Sequence, residues 1–290
     1  MKCINKWICL SLLIAVSCVS GCGKTSAAIE QPYDVYATAA DFGLSSNGTA
    51  EAKSYSASDL CVSEDVAIGT DSTDSQVAEG AGTFNLETNT VVYAKNLYER
   101  LYPASTTKIL TAYIALKYCD DLDAMVTVSE NAVNQASDSS VCNLKAGDVI
   151  RLRDLLYGLM LRSGNDAAVA IAEYISGDVD SFAALMNQEA AAMGATRSHF
   201  VNPNGLPDEN HYTCVYDMYL IFSNAIKNDT FVSIIGTTSY DVTYTDASGE
   251  AVTHTWENTN QYLTGNATTP DGFQIVGGKT GTTGEAGDCL

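Results

Sequence analysis

Basic residues are scarce in this 290-residue chain: 15 Lys and Arg stand against 35 Asp and Glu, a formal net charge of −20. Such a surface repels nucleic-acid phosphates, which excludes nucleic acid as a partner. Histidine is scarcer still. His199, His211 and His254 do not fall at metal-ligand spacing, and no Cys-x-x-Cys pair accompanies them, so no zinc site is expected. A Gly-x-Ser-x-Gly elbow is also absent, which argues against a Ser-His-Asp hydrolase and leaves the histidines as structural residues. His211-Tyr212 reads as packing against or capping the helix that follows. There is no internal repeat, and the apolar run Trp7–Val19 is too short to span a bilayer comfortably. What remains is ordinary for a globular protein: 46% hydrophobic and 17% charged residues, in a chain long enough to bury one large core or two small ones.

Cysteine is more frequent, at nine, but its placement does not make a disulfide framework. Cys3, Cys9 and Cys18 fall in an N-terminal targeting segment, where Lys2 and Lys6 form a positive start to the apolar run. Val19-Ser20-Gly21-Cys22 then matches the lipobox of bacterial lipoproteins, which implies a signal peptide over residues 1–21 and a lipidated Cys22 at the mature N-terminus. An ordinary secretory signal cut near Ala27 or Ala28 is the alternative. Either way the mature protein lies outside the cytoplasmic membrane, and in the favoured case it is anchored to the outer face by lipid. Loss of residues 1–21 removes two lysines and no acid, taking the net charge from −20 to −22. Cys61, Cys119, Cys142, Cys214 and Cys289 are left, an odd, scattered set that reads as buried free thiols.

Residues 22–78 are acidic and rich in Ser and Ala without a sustained period, and read as a tether. Folded structure is expected over 79–290. Strands at 81–86 and 90–94 are joined by Glu87-Thr88-Asn89. Helices are expected at 151–161, at 165–175, at 181–193 with Gly194 as its stop, and from a Thr213 cap to about Lys227. Strand character returns at 239–245 and 251–256, and again at 273–279. Strands, then helices, then strands imply an α/β fold, with an antiparallel sheet built from both chain ends and a mostly helical subdomain. The chain stops at Leu290, nine residues after Gly281, where such a sheet would keep a raw edge; the sequence is expected to be truncated, lacking C-terminal strands and a helix.

The stretch Tyr102–Tyr113 organises the rest. After Lys108 the apolar residues Ile109, Leu110, Ala112, Tyr113, Ile114, Ala115 and Leu116 are too dense for a surface helix and read as a buried one. Pro103 stands just ahead, so the helix is expected to start near Ser105. Ser105 and Lys108, three apart, then share a face. Burial disfavours an ammonium, so such a lysine can serve as base to a serine nucleophile. A capping serine and a lysine reaching for solvent would give the same pattern.

Two further motifs separate these readings. Ser163-Gly164-Asn165 lies between two apolar helices, and Lys279-Thr280-Gly281 follows the expected strand at 273–278; their spacings from Ser105 onward are 58 and 116 residues. Ser-x-x-Lys, a Ser-x-Asn loop and Lys-Thr-Gly in this order are the signature of β-lactamases and penicillin-binding proteins. Together with Phe200–Leu206, His211-Tyr212 and Gly278–Thr282, these residues resemble the D-alanyl-D-alanine carboxypeptidases, the low-molecular-mass penicillin-binding proteins of β-lactamase/transpeptidase-like fold. A Ser-Gly-Asn loop and the lack of a Glu-x-x-Leu-Asn segment after it point away from β-lactamases.

The resemblance implies roles. Ser105 would be the nucleophile, Lys108 the general base, Ser163 a proton relay and Asn165 an orienting amide. Lys279, Thr280 and Gly281 would line the substrate carboxylate site, and the N–H groups of Ser105 and Thr282 would form an oxyanion hole. It implies peptidoglycan stem peptides ending in D-Ala-D-Ala as substrate and β-lactams as inhibitors, with no cofactor. It also implies a carboxylate-holding basic residue beyond Leu290. The rival readings are a β-lactamase of the same fold and a non-catalytic wall-binding or β-lactam-sensing protein.

Overall fold

Apolar side chains at 109, 110, 112, 114 and 115 leave helix α1 (Lys108–Tyr118) almost no polar face, and the fold buries it centrally. The computed structural model describes residues 59–64, 66–69 and 78–290. The expected signal peptide, Cys22 and the tether up to residue 58 lie outside these residues. Around α1 pack α3 (Leu152–Leu161), α4 (Asn165–Ser176), α5 (Val179–Ala192), α6 (Val215–Ala225) and α7 (Asp229–Ile235), while a single-turn α2 (Glu130–Val133) lies against α4. Each follows its sequence spacing. In α3, Leu152, Leu155, Leu156 and Leu159 are all fully buried, each contributing roughly 1.5–3 kcal/mol of transfer free energy. In α4, Ala167, Ala168 and Ala172 keep side chains short enough for neighbouring helices to close in. Helix α5 is capped by Asp178, which accepts from Ser181 N–H at 2.7 Å, and Gly194 follows its C-cap at φ +86°, as expected.

The cap of α6 differs from expectation. Cys214, not Thr213, occupies it, and its Sγ accepts from Asp217 N–H at 3.4 Å. Thr213 instead pairs its backbone with Leu101 and its hydroxyl with Ser198. A thiol can fill the cap because the position asks only for an acceptor aimed at the third N–H.

Strands β1 (Ala81–Asn85) and β2 (Thr90–Lys95) form the expected hairpin, its turn held by Asn85 Oδ1, which accepts from Glu87 and Thr88 N–H at 3.0 Å each. Strands β3 (Met125–Thr127), β4 (Val149–Arg151), β5 (Ser239–Thr245) and β6 (Ala251–Glu257) build a four-stranded antiparallel sheet in that order. Along β5 and β6 the alternation is regular. Val242, Tyr244 and Trp256 turn inward, and the Thr243 and Thr253 hydroxyls meet on the wet face at 3.0 Å. A last ribbon pairs β7 (Gly281–Thr283) with β8 (Gly287–Cys289).

Three expectations need correction. First, strands from the two chain ends do not share one ladder among the described residues: β1–β2 and β7–β8 are separate ribbons. Ile68 exchanges two 3.0 Å backbone bonds with Ala94 of β2, while β7 lies against the turn at Ala104–Thr107. Second, residues 273–279 are not a strand. Glycines at 272, 277 and 278 interrupt the run, and Phe273 and Val276 stay in solvent; pairing begins only at Gly281. Third, the folded unit reaches back to Asp59 rather than Glu79. Cys61 is fully buried and donates its N–H to Tyr219 Oη at 2.8 Å, and Tyr98 Oη donates to Ser63 O at 2.7 Å.

Candidate active site

Pro103 ends an extended segment, and its carbonyl accepts from both Thr106 N–H (3.1 Å) and Thr106 Oγ1 (2.6 Å). These bonds wind Ala104–Thr107 into a 3₁₀ turn that runs into α1, so Ser105 sits one residue inside the turn rather than on the α-helix proper. Lys108 opens α1 with no solvent exposure. Its Nζ lies 2.8 Å from Ser105 Oγ, 2.8 Å from Asn165 Oδ1 and 2.6 Å from the carbonyl of Asn204. All three partners are uncharged. Burial, then the nearby charge of Lys279, pushes the Lys108 pKa well below the usual lysine range. A neutral amine has two hydrogens and one lone pair. With Asn165 Oδ1 and Asn204 O accepting the hydrogens, the lone pair faces the Ser105 hydroxyl.

Ser163 lies between α3 and α4 in a left-handed conformation, φ +58°, which turns the chain sharply enough to set Asn165 at the first position of α4. Asp166 fastens this corner. Its carboxylate accepts from Cys142 N–H at 2.9 and 3.0 Å and from Leu144 N–H at 3.1 Å, while Asn165 N–H donates to Ser140 O at 2.8 Å. Across the cleft Lys279, only 3% exposed, reaches Ser163 Oγ at 2.9 Å and Thr280 O at 2.5 Å. Burial brings its pKa down to about 7. Gly281 presses on the backbone of Ser105: a Cβ there would lie 2.8 Å from its N.

Of the expected site residues, Ser105, Lys108, Ser163, Asn165, Lys279 and Gly281 converge. Thr280 and Thr282 lie beside them with their hydroxyls engaged elsewhere, Thr280 on Thr259 at 2.8 Å and Thr282 on Asp288 at 2.9 Å. Neither His199 nor His254 approaches Ser105 by any bond described: His199 Nδ1 lies 2.6 Å from Asn210 O, and His254 stacks on Tyr244. His211 does not cap α6; it packs behind the Ser105 turn instead. Asn204 was not legible as a site residue, because it acts through a backbone carbonyl, which any residue carries. Asp166 left a faint trace as an acid in the first turn of a helix.

Residues 69–290 match the model of a family described as D-alanyl-D-alanine carboxypeptidase. The chain is 34% identical over 220 residues to D-alanyl-D-alanine carboxypeptidase DacF of Bacillus subtilis, covering 73% of this chain and 53% of that protein. It is 36% identical over 223 residues to a D-alanyl-D-alanine carboxypeptidase of Streptomyces, covering 73% and 75%. The crystal structure of the Streptomyces K15 DD-transpeptidase superposes with a TM-score of 0.67 at 34% identity, over 73% of this chain and 83% of that one. The chain thus spans about half the length of the Bacillus relative. Motif, geometry and likeness agree over the same residues, and the chain belongs to the D-alanyl-D-alanine carboxypeptidase family.

Proposed function

We propose that the protein is a serine-type D-alanyl-D-alanine carboxypeptidase that removes the terminal D-alanine from peptidoglycan stem peptides and is acylated by β-lactams. The observation that carries this reading is the 2.8 Å approach of a buried, uncharged-partnered Lys108 to Ser105. Ser105 Oγ attacks the carbonyl between the two terminal D-alanines, and its proton passes to Lys108 Nζ. The oxyanion meets the N–H groups of Ser105 and Thr282, each such donor typically worth ~3 kcal/mol of barrier. As the C–N bond breaks, the proton held by Lys108 passes through Ser163 to the nitrogen of the leaving D-alanine, which returns the amine to its neutral form. Lys279 stays the charged member of the pair: it holds the substrate carboxylate with Thr280 and, by repulsion, keeps Lys108 neutral. Water then attacks the acyl-enzyme, with Lys108 again accepting the proton, and as the ester bond breaks Lys108 returns that proton to Ser105 Oγ.

This chemistry belongs outside the cytoplasmic membrane, where the substrate lies, and lipidation at Cys22 would hold the protein at the outer face. Among the described residues no helix is long and apolar enough to cross a membrane.

Mass spectrometry after incubation with benzylpenicillin tests the reading. A stable adduct on the peptide carrying Ser105 is expected, and Ser105→Ala should abolish both the adduct and D-alanine release. Labelling that survives that change misplaces the nucleophile. Penicillin consumed without an adduct would indicate a β-lactamase, and penicillin left intact a non-catalytic wall-binding or sensing protein.

A further inference from the structure

His211 takes no part in the steps above, yet it lies 1% exposed directly behind the reacting turn. Its Nδ1 accepts from Val201 N–H at 3.1 Å, which fixes the neutral ring with its proton on Nε2. That Nε2–H donates to Thr107 Oγ1 at 2.9 Å. Thr107 is fully buried and stands between Ser105 and Lys108 in the chain. The Phe200 ring closes on the imidazole edge-on at 5.5 Å, and burial brings the pKa of His211 to about 4.

The segment that His211 ties down is the one that meets Lys108. Asn204 O accepts from Lys108 Nζ at 2.6 Å, and Pro203 O accepts from Thr111 Oγ1 at 2.7 Å. Gly205, at φ +87°, comes so close that a Cβ would overlap the carbonyl of Ala104. Asn202 Oδ1 braces the bend by accepting from Gly205 N–H at 2.7 Å. One ring therefore joins the loop that supplies Asn204 O to the turn that supplies Ser105 and Lys108. The ring adds to the Thr111–Pro203 bond a second tie between loop and turn, at the residue next to Lys108, so its loss would loosen the placement of Asn204 O against the amine.

We propose that His211 is a positioning residue for Lys108, acting through Thr107 and the Asn204 carbonyl to aim the amine at Ser105. This rests on reading Ser105 and Lys108 as nucleophile and base. The test is stopped-flow acylation of the full chain by benzylpenicillin, resolving the non-covalent Kd from the first-order acylation step. Thr107→Val and His211→Ala should each slow that step by roughly 10- to 100-fold, the scale of a small misplacement of a reacting group, with Kd within about twofold. The double variant should be no slower than the slower single one, because both break one link. His211→Gln, which offers both an acceptor and a donor, should recover most of the loss.

Wild-type acylation by folded Thr107→Val, multiplied losses in the double variant, or a Gln variant as slow as Ala would each overturn the proposal. Should His211→Ala fail to fold, Thr107→Val, which keeps the side-chain volume, decides alone. A wild-type protein that takes up no acyl group overturns the Ser105 reading and this inference with it. A labelled wild type beside an unaffected Thr107→Val overturns this inference only.

Discussion

Lys108 opens, and the turn carrying Ser105 immediately precedes, a helix with five apolar side chains at or below 6% exposure, whereas Lys279 follows a segment whose Phe273 and Val276 are 74% and 62% exposed. One wall of the cleft is thus held by the core. The other is held by polar links across the gap: Lys279 to Ser163, Thr280 to Thr259, and the close seat of Gly281 on the Ser105 backbone. The difference teaches where each kind of damage should show. Changes on the first wall alter the chemistry within an intact scaffold. On the second they move binding, alignment and pH response.

The largest effect is expected at Lys108→Met, which keeps the aliphatic stem and deletes the amine. Acylation by benzylpenicillin should fall roughly 10²–10⁴-fold, the usual worth of a positioned proton acceptor. The melting temperature should fall modestly, since Asn165 Oδ1 and Asn204 O lose a buried donor while the apolar packing of the stem is kept. A loss below tenfold would put the proton acceptor elsewhere.

Gly281→Ala probes the second wall. The added methyl would stand 2.8 Å from Ser105 N, so β7 must retreat. A misalignment of that size should slow acylation by about 10²-fold while the melting temperature changes little. Equal damage to folding would mean that the ribbon is part of the core after all.

The smallest effect concerns pH. Lys279 carries its charge below about pH 7 and loses it as pH rises through that value. If the charged form holds the substrate carboxylate, kcat/KM should decline on the alkaline side of that point. Lys279→Arg keeps the charge at all accessible pH values. It should remove the decline while lowering the rate severalfold, and an alkaline limb that persists in the variant would assign the titration to another group.

Much of the core and most of the side chains that converge at the candidate site were legible in the sequence because each leaves a local pattern. The apolar density after Lys108 marked a buried helix, and the strand character at 239–245 and 251–256 marked the two strands of the β5–β6 hairpin. What escaped was non-local or carried by backbone. Strands β3 and β4 have three residues each, and β4 meets β5 through the Val149–Thr245 pair, too little for a period to register. The segment at 273–279 has strand-like composition, but its glycines and lack of ladder partners decide against pairing. Cys214 took a cap expected of Thr213 because geometry, not residue preference, chose the acceptor. Asn204 contributes an oxygen that every residue possesses.

Ala104 has a left-handed backbone, φ +46°, immediately before Ser105, and Ser163 has another at φ +58°. For residues with a Cβ this conformation costs on the order of 1 kcal/mol, and it persists only where surrounding structure imposes it. Ser105 is therefore aimed by the main chain, not by what its own side chain touches. The hydroxyl can be deleted without releasing the mould that shaped it. An inert Ser105→Ala protein should keep the cleft of the native one, and so serve as a faithful trap for uncleaved ligands.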